Sequence, residues 1–214
     1  MLGLLLSVLG LGLASAASPV IFAVSLSLLT GKAYPIRKAF AFLLGGIFVA
    51  LLLAFIGSTA GGGVLAPSGF SLHGNSRLDF LLGLLMLGFA GYELLPSKPK
   101  ERVAKPGSHS GRLFLLGIVM NATNLDAVVL NLTAVREVAA ANVSMLLELS
   151  LIAVAGLFFL SPGLLPLLTC ILFPARFERI LRPVGSFTEK YGNYLGAAVF
   201  IVFGGYLIMR AGVL

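Results

Sequence analysis

Asn121, Asn124, Asp126 and Asn131 fall within one apolar stretch, residues 113–135, and Glu148 falls within another, residues 142–172. Polar side chains inside long apolar runs are costly to place in a bilayer and usually serve a function there. Two carboxylates at similar depth can bind a cation or hold a proton between like charges. At 1.5 Å per residue, Asp126 lies about 20 Å into a hydrocarbon core ~30 Å thick, and Glu148 about 9 Å in from the opposite face. Both acids then occupy the same outer-middle layer. Arg136, near the same end of its stretch, offers a purely structural partner for either acid. Asp126 is read as functional, and Glu148 is balanced between a functional and a structural role.

On an unbroken helix Asn121, Asn124 and Asn131 form one stripe, and Asp126 points nearly the opposite way at 100° per residue. Either the helix unwinds near Asn124, or Asp126 serves a different partner. The first apolar stretch, residues 2–30, places Ser15 and Ser18 beside Pro19. Pro19 has no N–H, so the carbonyl of Ser15 loses its helical donor. A freed carbonyl beside Ser hydroxyls makes a ligand site in the discontinuous helices of transporters. Ser15, Ser18, Pro19, Asn121, Asn124, Asp126 and Glu148 are therefore the candidate transport residues.

Catalytic patterns are missing. His73 and His109 both fall in loops, no two His have metalloprotease spacing, and no Gly-rich phosphate loop follows a strand. The single Cys170 excludes a disulfide scaffold, a Cys metal cluster and a dithiol relay. The expectation is a protein that is not an enzyme and uses no cofactor or metal. Glu93 sits near the inner end of its stretch beside Tyr92, where snorkelling to water accounts for it.

The elements that must position these residues follow from composition. Of 214 residues, 58% are hydrophobic and 11% charged, with a mean hydropathy of +1.05. Soluble domains carry about 25% charged residues. Too few charged groups remain to cover a globule in water, so the bilayer is the solvent. The 26 Gly residues exceed the usual ~7% share and suit closely packed membrane helices. Six apolar stretches approach the ~20 residues needed to cross a ~30 Å core: 2–30, 39–60, 78–96, 113–135, 142–172 and 193–213. The first and fifth are over-long, and Pro19 in one and Pro162 and Pro166 in the other predict breaks. The first lacks a basic leader and is too long for a signal peptide, so it is read as an uncleaved spanning helix.

Charge sets the orientation. All but Arg77, Arg136 and Arg210 of the 15 Lys and Arg residues lie in the first, third and fifth connections. The positive-inside rule makes that side cytoplasmic and puts both termini outside the cytoplasm of a multi-pass protein of the cell (plasma) membrane. The same rule accounts for the formal charge of +7 without nucleic acid as a partner. Residues 175–189 carry Phe177, Ile180, Leu181 and Val184 at helical spacing, with Arg176, Arg179 and Arg182 between them. This predicts a short amphipathic helix on the cytoplasmic side, ending at Pro183.

The chain also repeats itself. Phe89-Ala90-Gly91-Tyr92 matches Phe203-Gly204-Gly205-Tyr206 at an offset of 114, and Ala17-Ser18-Pro19 matches Thr123-Asn124-Leu125 at an offset of 106. Two units of three spans each insert with opposite orientation, an arrangement that puts the substrate site where the units meet. The fold expected is an all-α integral membrane protein of six transmembrane helices in two inverted three-helix repeats. The units are residues 1–96 and 113–214, joined by a cytoplasmic linker, 97–112.

Six spans, the Ser18-Pro19 break, the Asn121-x-x-Asn124 motif, the basic amphipathic stretch and the Gly205-Tyr206 sixth span resemble the LysE superfamily of exporters. The Ser18-Pro19 start and residues 32–46 look most like its branch named for addressing glycopeptidolipids and sulfolipids to the cell envelope. In relatives Asn-Pro is frequent in the fourth span, whereas Leu125 follows Asn124 here. The resemblance implies a lipid or small amphiphile as substrate. The expectation is a secondary transporter that exports it, with proton or ion coupling through Asp126 and with Glu148 as a second candidate. The buried acids alone would also suit a cation or amino-acid exporter. A non-transporting accessory of a lipid-export complex is the third expectation. Expected partners are the lipid bilayer, the lipid, amphiphile or small-molecule substrate, and a second copy in a homodimer.

Overall fold

The computed structural model describes residues 2–30, 35–65, 76–94 and 110–211, and every regular element among them is helical. The order is α1 (Leu2–Ser15), α2 (Pro19–Leu29), α3 (Pro35–Gly61), α4 (Ser76–Leu94), α5 (Ser110–Thr123), α6 (Leu125–Ala140), α7 (Met145–Leu172) and α8 (Phe177–Arg210). A 3-10 turn, Pro174–Arg176, precedes α8. By length and composition α3 and α7 can each cross a membrane. So can α1 with α2, and α5 with α6, if each bent pair counts as one span. The described apolar segments of α4 and α8 are shorter, Phe80–Gly91 and Ala197–Met209.

Large apolar side chains stand outward along these helices. Leu51 and Val202 are both 66% exposed, and Leu13, Leu84 and Leu157 are more than half exposed. A soluble monomer rarely shows contiguous apolar surface on this scale. The chain is a membrane-associated protein.

Glycine sets how closely the helices approach. A Cβ at Gly45 of α3 would land on the Phe114 carbonyl of α5, and one at Gly117 of α5 would land on the Phe42 carbonyl of α3. Between α4 and α8, a Cβ at Gly83 would lie 2.8 Å from the Gly204 carbonyl, and one at Gly204 would lie 3.0 Å from that of Gly83. Both crossings bring backbone against backbone, the contact that small residues permit in membranes. Phe89 stacks on Phe200 beside the second crossing, with ring centroids 5.6 Å apart.

The first stretch breaks where Pro19 predicts: α1 and α2 meet at 57°. Pro19 is the first residue of α2, a position at which its missing N–H is no loss. The fourth stretch also breaks, at 73°, although no Pro follows Asn124. Asn124 has φ −78° and ψ 68°, close to an inverse γ-turn.

The fifth stretch corrects the sequence reading. Pro162 and Pro166 lie inside one continuous helix, α7. Pro162 cannot donate to the carbonyl of Phe158, but the Ser161 hydroxyl does so at 2.7 Å. A neighbouring hydroxyl can satisfy a carbonyl that proline leaves open. The predicted amphipathic helix is corrected in the same way. Its residues from Phe177 onward form the first turns of α8, which continues through Pro183 into the sixth apolar stretch. Of the predicted linker, residues 97–109 lie outside the described residues, and 110–112 begin α5.

Candidate functional site at the paired helix breaks

The two breaks meet. Asn124 Nδ2 donates to Ser18 Oγ at 3.1 Å, joining the residues that the 106-residue offset equates. Each is the N-cap of the helix that follows, α2 or α6, and neither side chain caps its own helix. The hydroxyl and amide that would ordinarily cap locally bond to each other instead. Two half-helices therefore start at one place, and their first N–H groups carry the positive ends of two helix dipoles. Ser18 is buried and Asn124 half-buried.

The remaining predicted residues divide around this centre. Ser15 is buried at the end of α1, but its hydroxyl donates back to the Gly12 carbonyl at 2.8 Å. Asn121 is buried at the end of α5, and its Nδ2 donates to its own Gly117 carbonyl at 2.8 Å. That amide also sits 3.1 Å from where a Cβ of Gly46 would be, so α3 closes over it. Asn131, nearly two turns into α6, donates to the Ala155 carbonyl of α7 at 2.9 Å. Its Oδ1 is buried and finds no hydrogen-bond partner among the described residues. The three Asn thus do not form one functional stripe, because the break rotates α6 away from α5.

Asp126 is half-buried in the first turn of α6, beside the breaks. A carboxylate there offsets the positive N-terminal end of the helix. The structure does not bring it together with Glu148. Glu148 packs near Ala139, and from Asp126 to Ala139 the helix rises about 20 Å.

Glu148 belongs to a separate cluster. It is 4% exposed in the first turn of α7. Its Oε1 accepts the Val64 N–H at 2.9 Å and the Ser58 hydroxyl at 3.4 Å. Ser58 Oγ in turn accepts the Leu65 N–H at 3.1 Å, and the Ser58 carbonyl accepts the Gly63 N–H at 2.8 Å. Gly62, with φ 76°, turns the chain out of α3, and Gly63 leaves no room for a Cβ beside Glu148 Oε1. The carboxylate thereby pins the segment after α3 against the start of α7. Arg136, 5% exposed, belongs to the same layer, its carbonyl lying 2.7 Å from a Cβ position on Gly61.

Ser58, Gly63 and Val64 escaped the sequence reading. The only signal was the run Gly61-Gly62-Gly63 at the end of the second apolar stretch, which marks a close approach without naming its partner. The side chains of Tyr92 and Glu93, and His73 and His109 entirely, lie outside the described residues.

Compared with known families, residues 8–213 match the one described as Sap, sulfolipid-1-addressing protein. No curated protein and no solved structure matches the chain.

Proposed function

The chain belongs to the Sap, sulfolipid-1-addressing protein family, and on that premise we propose that it is a secondary transporter moving an anionic lipid or related amphiphile towards the outside of the cell membrane. The observation that carries this reading is the Asn124–Ser18 hydrogen bond, which ties two interrupted helices at their breaks. Interrupted helices that start at a shared centre supply uncapped N–H groups to a negatively charged substrate. Asp126, beside the same centre, is the coupling acid of this proposal: it would carry a proton when the substrate leaves and give it up on the other side.

The architecture we propose is six spans in two inverted units. Support comes from how the helices pair. α3 of the first unit packs along both α5 and α6, and α7 of the second packs along both α1 and α2. α4 and α8, the last helices of the two units, pair with each other. An exchange of this kind is what a two-fold axis between the units requires. The basic connections of the sequence then face the cytoplasm and both termini face out.

The test is lipid transfer in cells carrying Asn124→Ala, Ser18→Ala or Asp126→Asn. Each should insert and fold while delivering much less lipid to the cell surface, and Asp126→Asn should also remove the dependence on external pH. Full transport by Asp126→Asn with unchanged pH dependence would refute the coupling role. Full delivery by all three would favour the accessory reading, since an accessory needs only the fold.

A further inference from the structure

A cavity of about 520 Å³ lies far from the paired breaks, where α2 and α7 end and α8 begins. Leu29, Thr30, Cys170, Pro174, Phe177 and Arg179 line it. Leu29 and Phe177, both buried, supply the apolar part of a lining that is otherwise largely polar. Arg179 is exposed at the mouth, and its guanidinium makes no hydrogen bond or ion pair with the described residues. Beside the mouth Ile171, Leu172 and Phe173 turn outward, all about half exposed or more. The charge pattern puts this end of the molecule at the cytoplasmic face of the membrane.

A guanidinium unpaired among the described residues, a partly apolar lining and an exposed apolar flank form a set that fits one ligand chemistry. The planar fork of Arg pairs with the oxyanion of a sulfate or phosphate group. The apolar part of the lining accepts the first carbons beyond that group, and the Ile171–Phe173 flank gives the chain a path along the protein surface. We propose that this cavity is an inner-leaflet site for the headgroup of an anionic lipid, separate from the paired breaks. Arg179 holds the charge, and the tail stays in the bilayer. The proposal rests on the lipid reading above, but it concerns binding and not movement.

Cys170 makes the site directly testable, because it is the only cysteine in the chain and it lines the cavity. The full chain is placed in bilayer nanodiscs of phosphatidylcholine alone or with added phosphatidylglycerol. The rate of Cys170 modification by a neutral maleimide is followed by mass. The anionic lipid should slow modification by about fivefold, the preference that one basic side chain gives at an anionic surface. Arg179→Gln should return the rate to that seen in phosphatidylcholine, and Arg179→Lys should keep most of the protection. Sodium sulfate added to phosphatidylcholine discs should give little protection. Equal rates in the two lipids, or slowing that survives in Arg179→Gln, would overturn the site. Protection by sulfate alone equal to that by the lipid would overturn the lipid as its ligand. Each result is read without a transport assay, so failure here leaves the reading of the paired breaks standing.

Discussion

Gly63→Ala is the perturbation whose consequences the structure defines most sharply. The new Cβ would land on Glu148 Oε1 and lie within 2.7 Å of both Ala139 Cβ and Ser58 Oγ. Carbon atoms settle at about 3.5–4.0 Å from their neighbours, so something must move. Ala139 is buried in the last turn of α6, and Ser58 in that of α3, both on helical backbone. Glu148 is the flexible member, and displacing it breaks the 2.9 Å bond from the Val64 N–H. Overpacking costs about 1–3 kcal/mol, and orphaning a donor that served a charged acceptor costs about 1.5–3 kcal/mol. Together the loss should be roughly 2.5–6 kcal/mol. Glu148→Gln keeps an acceptor oxygen of the same reach and gives up only the charge assistance, about 1 kcal/mol. Glu148→Ala also orphans Val64, but it makes room for the methyl group that Gly63→Ala introduces. The double variant Gly63→Ala/Glu148→Ala should therefore be more stable than the two single losses imply, by about 1 kcal/mol or more. Reversible unfolding in mixed micelles, followed by far-ultraviolet circular dichroism, measures the four variants against the wild type. Additive losses, or a Gly63→Ala protein as stable as the wild type, would refute the packing argument.

Other outcomes follow from the same contacts. Gly45→Ala and Gly117→Ala should each destabilise the α3–α5 crossing strongly, whereas Gly156→Ala, with nothing within 4 Å of its Cβ position, should stabilise α7 by about 0.5–1 kcal/mol; thermal unfolding separates the two groups. Ser161→Ala leaves the Phe158 carbonyl without its donor at Pro162 and should lower stability by about 1 kcal/mol in the same measurement. In a Cys170→Ser background, Leu65→Cys should react with an impermeant maleimide from outside intact cells, and Ser186→Cys only after permeabilisation. The reverse result would invert the orientation.

What could be read from sequence was whatever a single residue's covalent chemistry decides. Pro19 lacks a donor, and the first stretch breaks there. The same reasoning failed at Pro162, because the outcome depends on whether a neighbouring hydroxyl reaches the open carbonyl, and Ser161 does. Pro183 likewise does not end its helix. At Asn124 the sequence offered only a conflict, three Asn on one face and Asp126 on the other. The break resolves it without proline, because the Asn side chain finds Ser18 across the fold. Depth along an idealised helix misled at Asp126 and Glu148: a 73° bend separates rise from depth, and the two acids sit in different clusters. The partners of Glu148 come from α3 and the segment after it, more than eighty positions away, and no local pattern encodes them.

The distribution of contacts bears on which parts can move. At the α3–α5 and α4–α8 crossings, glycine lets backbones touch, and any sliding would strike a carbonyl. Interlocked crossings of that kind resist small displacements, since packed interfaces have discrete arrangements and do not deform smoothly. At the breaks a single neutral hydrogen bond is the side-chain link between Ser18 and Asn124. Such a bond adds only about 0.5–1.5 kcal/mol net, so giving it up costs little. The residues on either side are spared the usual helical ladder, because Pro19 has no N–H and Asn124 lies outside helical geometry. Movement of α2 about these points need break no interior helix bond, whereas α3 is locked to α5 and to α6, and α4 to α8, by glycine contacts. Resistance and yield are thus divided between the two kinds of contact: glycine crossings supply a frame that resists, and the Ser–Asn tie a centre that yields at low cost.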